Sequence, residues 1–293
     1  MTKSSAIKIK KLSKSFGKHT ALHNVSFEVP EGQIFGFLGP NGAGKTTTIR
    51  CVMDFIKPTH GSVEILGLDA HRDSAELKQS IGYLSADYQL NGGWTGKDHI
   101  RLFQKTKGST SNLNDLIGSL GLNTSVKVKN LSSGNKQKLA VVLAFIGDPR
   151  LLIMDEPTRG LDPVLQNVLY DLLNDFVSKG NTVFLSSHNL SEVQKICSSV
   201  VLIKNGAVIT EQSMNKIRGL KIHLVEAKTE KPIKLASLKL KGVEVVDYTD
   251  ENVRLKVHGD LNEVLHILTK HKLVDLNVEH ASLEDVFLEH YKD

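Results

Sequence analysis

Two cysteines, one tryptophan and seven prolines are all that this 293-residue chain holds of those residue types. Cys51 and Cys197 are too few for a disulfide framework and too far apart for a metal-ligand spacing, so both are expected to be small buried hydrophobes. Aromatic residues make up 5% of the chain, which leaves few rings on which bases could stack, and no zinc-type spacing occurs. Nucleic acid is therefore not expected as a partner. No apolar run approaches the roughly 18 residues of a membrane span; the best local stretch is residues 141–146. Residues 1–10 lack the apolar core of a secretory signal, so the chain is expected to stay in the cytosol.

What is present is an ordinary globular composition, 40% hydrophobic and 24% charged, with length enough for one large domain and a smaller one. The net charge of +5 is unevenly spread. The first 20 residues carry six lysines and no acid, residues 203–241 are basic, and residues 242–293 hold 12 acids against five bases. Such blocks mark solvated surface, or surface that faces a polyanion or a membrane head group.

The first two-thirds of the chain alternate short apolar runs with helical patterns. Val25, Phe27 and Val29 read as a half-buried strand, and residues 33–38, 151–154, 182–186 and 199–204 as buried ones. Helices are expected at residues 164–178 and 190–196. This alternation implies a mainly parallel sheet covered by helices. Residues 88–146 change character, with helices at 96–105, 113–120 and 134–145, and read as an inserted helical subdomain. After about residue 218 the pattern changes again: strands at 221–227, 243–248, 253–257 and 273–278, a helix at 260–270 with Asp260 as N-cap, and a final helix at 282–290.

Three motifs carry chemistry. Gly39, Pro40, Asn41, Gly42, Ala43, Gly44, Lys45 and Thr46 follow a strand and precede a helix. Glycines there let the backbone N–H groups curl around an oxyanion, Lys45 reaches terminal phosphates, and the Thr46 hydroxyl can meet Mg²⁺. The run L-L-I-M-D-E ends an apolar strand in Asp155, suited to Mg²⁺, and Glu156, suited to polarise a water. The run L-S-S-G-N-K-Q, containing Ser132, Ser133 and Gly134, opens an apolar helix; it makes either a plain N-cap or a second anion site.

Taken in order, these motifs resemble the ATP-binding subunit of an ABC transporter, over residues 7–210. The resemblance implies a P-loop NTPase core (α/β, mainly parallel sheet) with an N-terminal antiparallel β part, the inserted helical subdomain and a small C-terminal α+β domain. The expected division is residues 1–218 for the ATPase and 219–293 for the accessory domain. It further implies ATP and Mg²⁺ as cofactors, residues 39–47 including Thr47 as the Walker A loop, and residues 151–156 as the Walker B strand with Glu156 as catalytic base. Ser132, Ser133 and Gly134 would form the signature that contacts the γ-phosphate on an opposite subunit. Asp162 would belong to the D-loop at the dimer seam, His188 would be the switch histidine, and Phe16 would lie against adenine. The chain departs from the family in having Ser133 and Asn135 within the signature. Ala86 stands where a glutamine usually meets Mg²⁺, with Asp87 as the nearest polar substitute.

One phosphate loop and one signature imply two copies meeting head to tail around two ATP molecules. They also imply a separate polytopic permease, with Tyr88, Gln89, Leu90, Trp94 and Phe103 as candidate groove residues, and a peripheral place on the cytoplasmic side of the membrane. The ending A-S-L-E-D-V-F-L-E-H resembles subunits paired with drug, lipid or antibiotic export permeases. The alternative is an ATPase that regulates or senses within a resistance complex. An ATPase of translation would carry two cassettes in one chain, and a chromosome or repair ATPase would carry a long heptad insertion.

Overall fold

The computed structural model describes residues 4–214, 216, 222–230, 232–238, 240–249 and 251–280. The expected helix at 282–290 lies outside the described residues. The chain divides into two compact units, Met1–Gln212 and Ser213–Asp293.

The first unit is built on two sheets. β1 (Ser5–Phe16), β2 (His19–Pro30), β4 (His60–Ile65) and β5 (Leu68–Asp69) form an antiparallel sheet in the order β2-β1-β4-β5. The other sheet runs β10-β9-β3-β8-β7-β6, from β3 (Ile34–Leu38), β6 (Ile81–Leu84), β7 (Leu151–Asp155), β8 (Thr182–Ser187), β9 (Ser199–Lys204) and β10 (Ala207–Ser213). β6, β7, β8, β3 and β9 are parallel to one another, as continuous apolar runs joined by helices require. The helices of this unit are α1 (Lys45–Val52), α2 (Ser74–Ser80), α3 (Gly96–Lys107), α4 (Leu113–Ser119), α5 (Ser133–Phe145), α6 (Pro163–Ser178) and α7 (Leu190–Ile196).

Phe27 of β2 joins the two sheets by packing on Phe35, Phe37 and Phe184, with ring centroids 5.2 to 6.0 Å apart. Phe35 and Phe37 point to one side of β3, while Gly36 faces the other. A side chain on Gly36 would stand 3.0 Å from Cys197 Sγ and 3.1 Å from Val193 Cγ1, so the bare backbone is what admits α7 against the sheet. Both cysteines are buried; desolvation pushes the Cys51 thiol up to about 11 and the Cys197 thiol higher still, which keeps them inert. Among the described residues no helix is long and apolar enough to cross a membrane.

The second unit has a four-stranded antiparallel sheet, β12-β13-β11-β14, from β11 (Ile222–Thr229), β12 (Val243–Tyr248), β13 (Asn252–His258) and β14 (Leu273–His280). Val253, Leu255 and Val257 bury one face of it with Val264 and Leu268 of α8 (Asn262–Leu268). That helix is shorter than the sequence pattern predicts, and its N-cap is Leu261 rather than Asp260. Asp260 stands one residue before that cap and accepts from the Asn262 N–H at 2.9 Å, a side-chain turn at the entry to the helix.

Phe184→Ala removes the ring that meets Phe27, Phe35 and Phe37 at the centre of the first unit. It should cost about 3–5 kcal/mol of stability, read as a lowered urea midpoint with an unchanged m-value.

Candidate nucleotide-binding site

β3 lies in the middle of the parallel sheet, between β8 and β9, and all five of its residues are buried. Its C-terminal end therefore delivers the chain to the centre of the sheet's edge, where ligands of open α/β sheets bind. There the backbone curls. The Gly39 N–H donates to the Ser187 carbonyl at 3.2 Å, and Ala43 N–H to the Pro40 carbonyl at 3.2 Å. A Cβ on Gly39 would stand 2.4 Å from the Ile203 carbonyl oxygen, and Gly44 adopts φ +106°, so both positions require glycine. α1 begins at once, which points its first-turn N–H groups into the curl. Lys45 is buried within the loop, its Nζ donating to the carbonyls of Gly39 at 2.7 Å and Pro40 at 3.1 Å.

β7 ends beside this loop. Asp155, 1% exposed, accepts a hydrogen bond from Thr46 Oγ1 at 2.8 Å and another from Ser186 Oγ. Both carboxylate oxygens are thus engaged, as burial of a charge demands. Glu156 follows at φ 53°, a left-handed backbone uncommon outside glycine. Its N–H donates to Ser186 Oγ at 3.1 Å, which holds the turn. The carboxylate then reaches His188 Nδ1 at 2.6 Å with one oxygen and lies 3.4 Å from Lys45 Nζ with the other.

Lys45, Thr46, Glu156 and His188 line a cleft of about 570 Å³ that also contains Phe16, Asn41, Thr47, Ala86, Asp87 and Arg159. Phe16 is half exposed at the end of β1, with Lys14 Nζ 4.9 Å from its ring centroid. Asp87 sits on the rim, its carboxylate 3.7 Å from the Arg159 guanidinium.

The residues expected to form the signature lie outside the lining of this cleft. Ser132 caps α5, accepting from the Asn135 N–H at 3.2 Å, with Ser133 and Gly134 in the helix's first turn. Asp162 caps α6, accepting from the Leu165 N–H at 3.0 Å. Gln137 Nε2 donates to the Pro157 carbonyl at 2.7 Å and so ties α5 to the turn after β7. The candidate groove residues follow the cleft in sequence. Trp94 is exposed and meets buried His99 edge-on at 5.3 Å; Tyr88, Leu90 and Phe103 are half-buried, Gln89 exposed, and Leu102, not anticipated, is exposed beside them on α3.

The sequence assigns no role to Ser186, Ser187 or Arg159, and includes Gln137 only as the end of the run L-S-S-G-N-K-Q. Only the doubled serine before His188, at the C-terminal end of an apolar strand, could have signalled the first two.

A strand–loop–helix cradle around a buried lysine, beside a strand that ends in two carboxylates, defines a P-loop nucleoside triphosphatase. Residues 22–159 match the family model "ABC transporter". Over nearly its whole length, both units included, the chain is similar to two curated proteins. One is the Nod factor export ATP-binding protein I of Paraburkholderia xenovorans (strain LB400), 30% identical and covering 97% of this chain and 96% of that protein. The other is the bacitracin transport ATP-binding protein BcrA of Bacillus licheniformis, 30% identical and covering 97% of each. Among solved structures, a dimeric post-hydrolysis state of an ATP-binding cassette bound to ADP and Pi matches with a TM-score of 0.63 at 25% identity, over 71% of this chain and 98% of that one. The chain belongs to the ABC transporter family, and it is an ATP-binding, ATP-hydrolysing subunit.

Because a side chain on Gly39 meets the Ile203 carbonyl oxygen at 2.4 Å, Gly39→Ala must displace the loop. Titration with a fluorescent ATP analogue should show affinity lowered at least about tenfold, since the loop's N–H groups bind together or not at all.

Proposed function

We propose that this subunit drives a separate membrane permease, in the export direction, by closing and opening a head-to-tail dimer around two ATP molecules. The observation that carries the reading is the grouping of Lys45, Thr46, Asp155, Glu156 and His188 at the end of one sheet. The Walker A residues from Gly39 to Thr47 would hold the phosphates, and Phe16 would stack on the adenine. The Thr46 hydroxyl and Asp155 carboxylate are hard oxygen donors 2.8 Å apart, a pair that suits Mg²⁺. Among the described residues no three His, Cys, Asp or Glu side chains converge, so phosphate oxygens and water would complete its shell. Mg²⁺, when bound, offsets the negative charge on the transferring phosphoryl group.

Glu156 would accept a proton from water as the water oxygen bonds to the γ-phosphorus and the β–γ bridging bond breaks, leaving ADP and phosphate. His188, already bonded to the Glu156 carboxylate, would keep that base aimed and meet the γ-phosphate. Ser132, Ser133, Gly134 and Asp162 lie outside the cleft lined by their own phosphate loop. That separation supports assigning them to the nucleotide of a second copy, which makes two equivalent sites in a symmetric dimer. Loss of the γ-phosphate would remove the shared contacts and shift the dimer toward its open state.

Tyr88, Gln89, Leu90, Trp94 and Phe103, joined by Leu102, would receive the permease's cytosolic helices and hold the subunit on the cytoplasmic face of the membrane. The division into a catalytic part, residues 1–218 with the helical insertion at 88–146, and an accessory part, residues 219–293, is supported by the two compact units and by the two relatives that match across both. The accessory part would help to hold the dimer together. Export rests on the likeness to the Nod factor export protein.

Glu156→Gln should leave ATP binding intact and slow hydrolysis by at least about a hundredfold, so that the protein elutes as a dimer in ATP–Mg²⁺ during gel filtration. Lys45→Ala should stay monomeric there for want of bound nucleotide. A Glu156→Gln protein that remains monomeric with ATP–Mg²⁺, both alone and beside its permease, would sink the sandwich.

Asp87 was the one candidate metal ligand on the rim, and its ion pair with Arg159 competes with that role. If Asp87 reaches Mg²⁺ in the closed state, Asp87→Ala lowers ATP hydrolysis and Arg159→Ala does not follow it. Equal losses in both variants would assign the pair to holding the rim.

A further inference from the structure

One buried carboxyl group beside the site has no part in the reading above. Glu192 sits in the first turn of α7 and is 4% exposed. Burial raises its pKa above the ordinary carboxyl value, and the neighbouring Glu156 charge adds to the shift. A carboxyl group in such a place costs stability unless its bonds repay the cost.

The bonds it makes depart from the usual pattern. Asn189 is the N-cap of α7, its Oδ1 accepting from Ser191 N–H at 2.9 Å and Glu192 N–H at 3.3 Å. Glu192 is then the third helical residue, where in a capping box a Glu side chain accepts the N-cap's own N–H. Here the Ser187 hydroxyl is interposed. Asn189 N–H donates to Ser187 Oγ at 2.9 Å, and Ser187 Oγ donates to Glu192 Oε2 at 2.5 Å. The residues on both sides of His188 are therefore clamped to the helix. An ordinary box would leave residue 187 out. The Ser187 carbonyl in turn accepts from Gly39 N–H at 3.2 Å, and α7 itself is seated on the sheet through Val193 and Cys197 against Gly36.

We propose that Glu192 is a positioning residue for ATP hydrolysis, fixing the Ser187–Asn189 backbone so that His188 meets the Glu156 carboxylate at hydrogen-bond distance. The inference rests on the roles given above to His188 and Glu156. Its consequence is specific: Glu192 acts through His188, so its loss harms turnover more than nucleotide affinity and does nothing further once His188 is gone.

The test is steady-state ATP hydrolysis by the full chain. Glu192→Ala should lower kcat about tenfold or more, since a small displacement of a reacting group costs up to about a hundredfold in rate, with KM for ATP changed by less than about threefold. Glu192→Gln keeps an acceptor for the Ser187 hydroxyl and should recover most of the rate. Ser187→Ala, a smaller change at the interposed hydroxyl, should reproduce the loss even if Glu192→Ala folds poorly. Glu192→Ala/His188→Ala should be no slower than His188→Ala alone, within about twofold, because the two act on one step. Losses that multiply in the double variant, or full turnover in both Glu192→Ala and Ser187→Ala, would overturn the inference while leaving the reading of the site in place. Full activity in His188→Ala would overturn both.

Discussion

The site depends on a single buried carboxylate. Asp155 ends β7 almost without solvent, and a charge placed there must be matched by hydrogen bonds or the strand end cannot form. The two bonds it accepts come from different elements, Thr46 on α1 and Ser186 on β8. The requirement to satisfy one charge thereby brings the phosphate loop, the acidic strand and the histidine strand together at one point. Ser186 is used twice, since its oxygen also accepts the Glu156 N–H and so holds the left-handed turn on which that residue stands. Such a backbone costs on the order of 1 kcal/mol or more and persists only where its surroundings impose it.

The motifs were legible in the sequence because their chemistry is local. Gly39 and Gly44 are demanded by close approach and positive φ, and Asp155–Glu156 by the end of a buried strand, all within a few residues of chain. What stayed hidden depends on partners far away in sequence. Ser186 gains its role from Asp155 and Glu156, 31 and 30 residues distant, and Asp87 pairs with Arg159, which no short-range pattern announces. β1 was missed for a different reason. Ile7, Ile9 and Leu12 are all buried, yet Lys11 at φ 48° and a register shift between Ile9 and Leu12 break the period of two on which a strand reading relies.

The second unit shows the opposite balance. Its sheet was readable from strict alternation, as in Val253, Leu255 and Val257, because one face of a small antiparallel sheet must be apolar to hold α8. The length of that helix was not readable. Asp260 satisfies Asn262 N–H from outside the helix, and the pattern of apolar residues cannot distinguish that bond from a cap one residue earlier.

Glu156 stands where these constraints meet. One of its oxygens bonds to His188 and the other faces Lys45 at 3.4 Å, so the proposed base is paired with the very cation that phosphates must claim. A nucleotide entering the cleft offers Lys45 a more highly charged partner than a carboxylate, while His188 keeps its hold on the remaining oxygen. On that reading, binding frees one face of the base for water and leaves the other aimed. Readiness for hydrolysis is then coupled to occupancy by competition for a single ammonium group. The coupling works only if His188 cannot follow Lys45, and the backbone on either side of that histidine is held by α7.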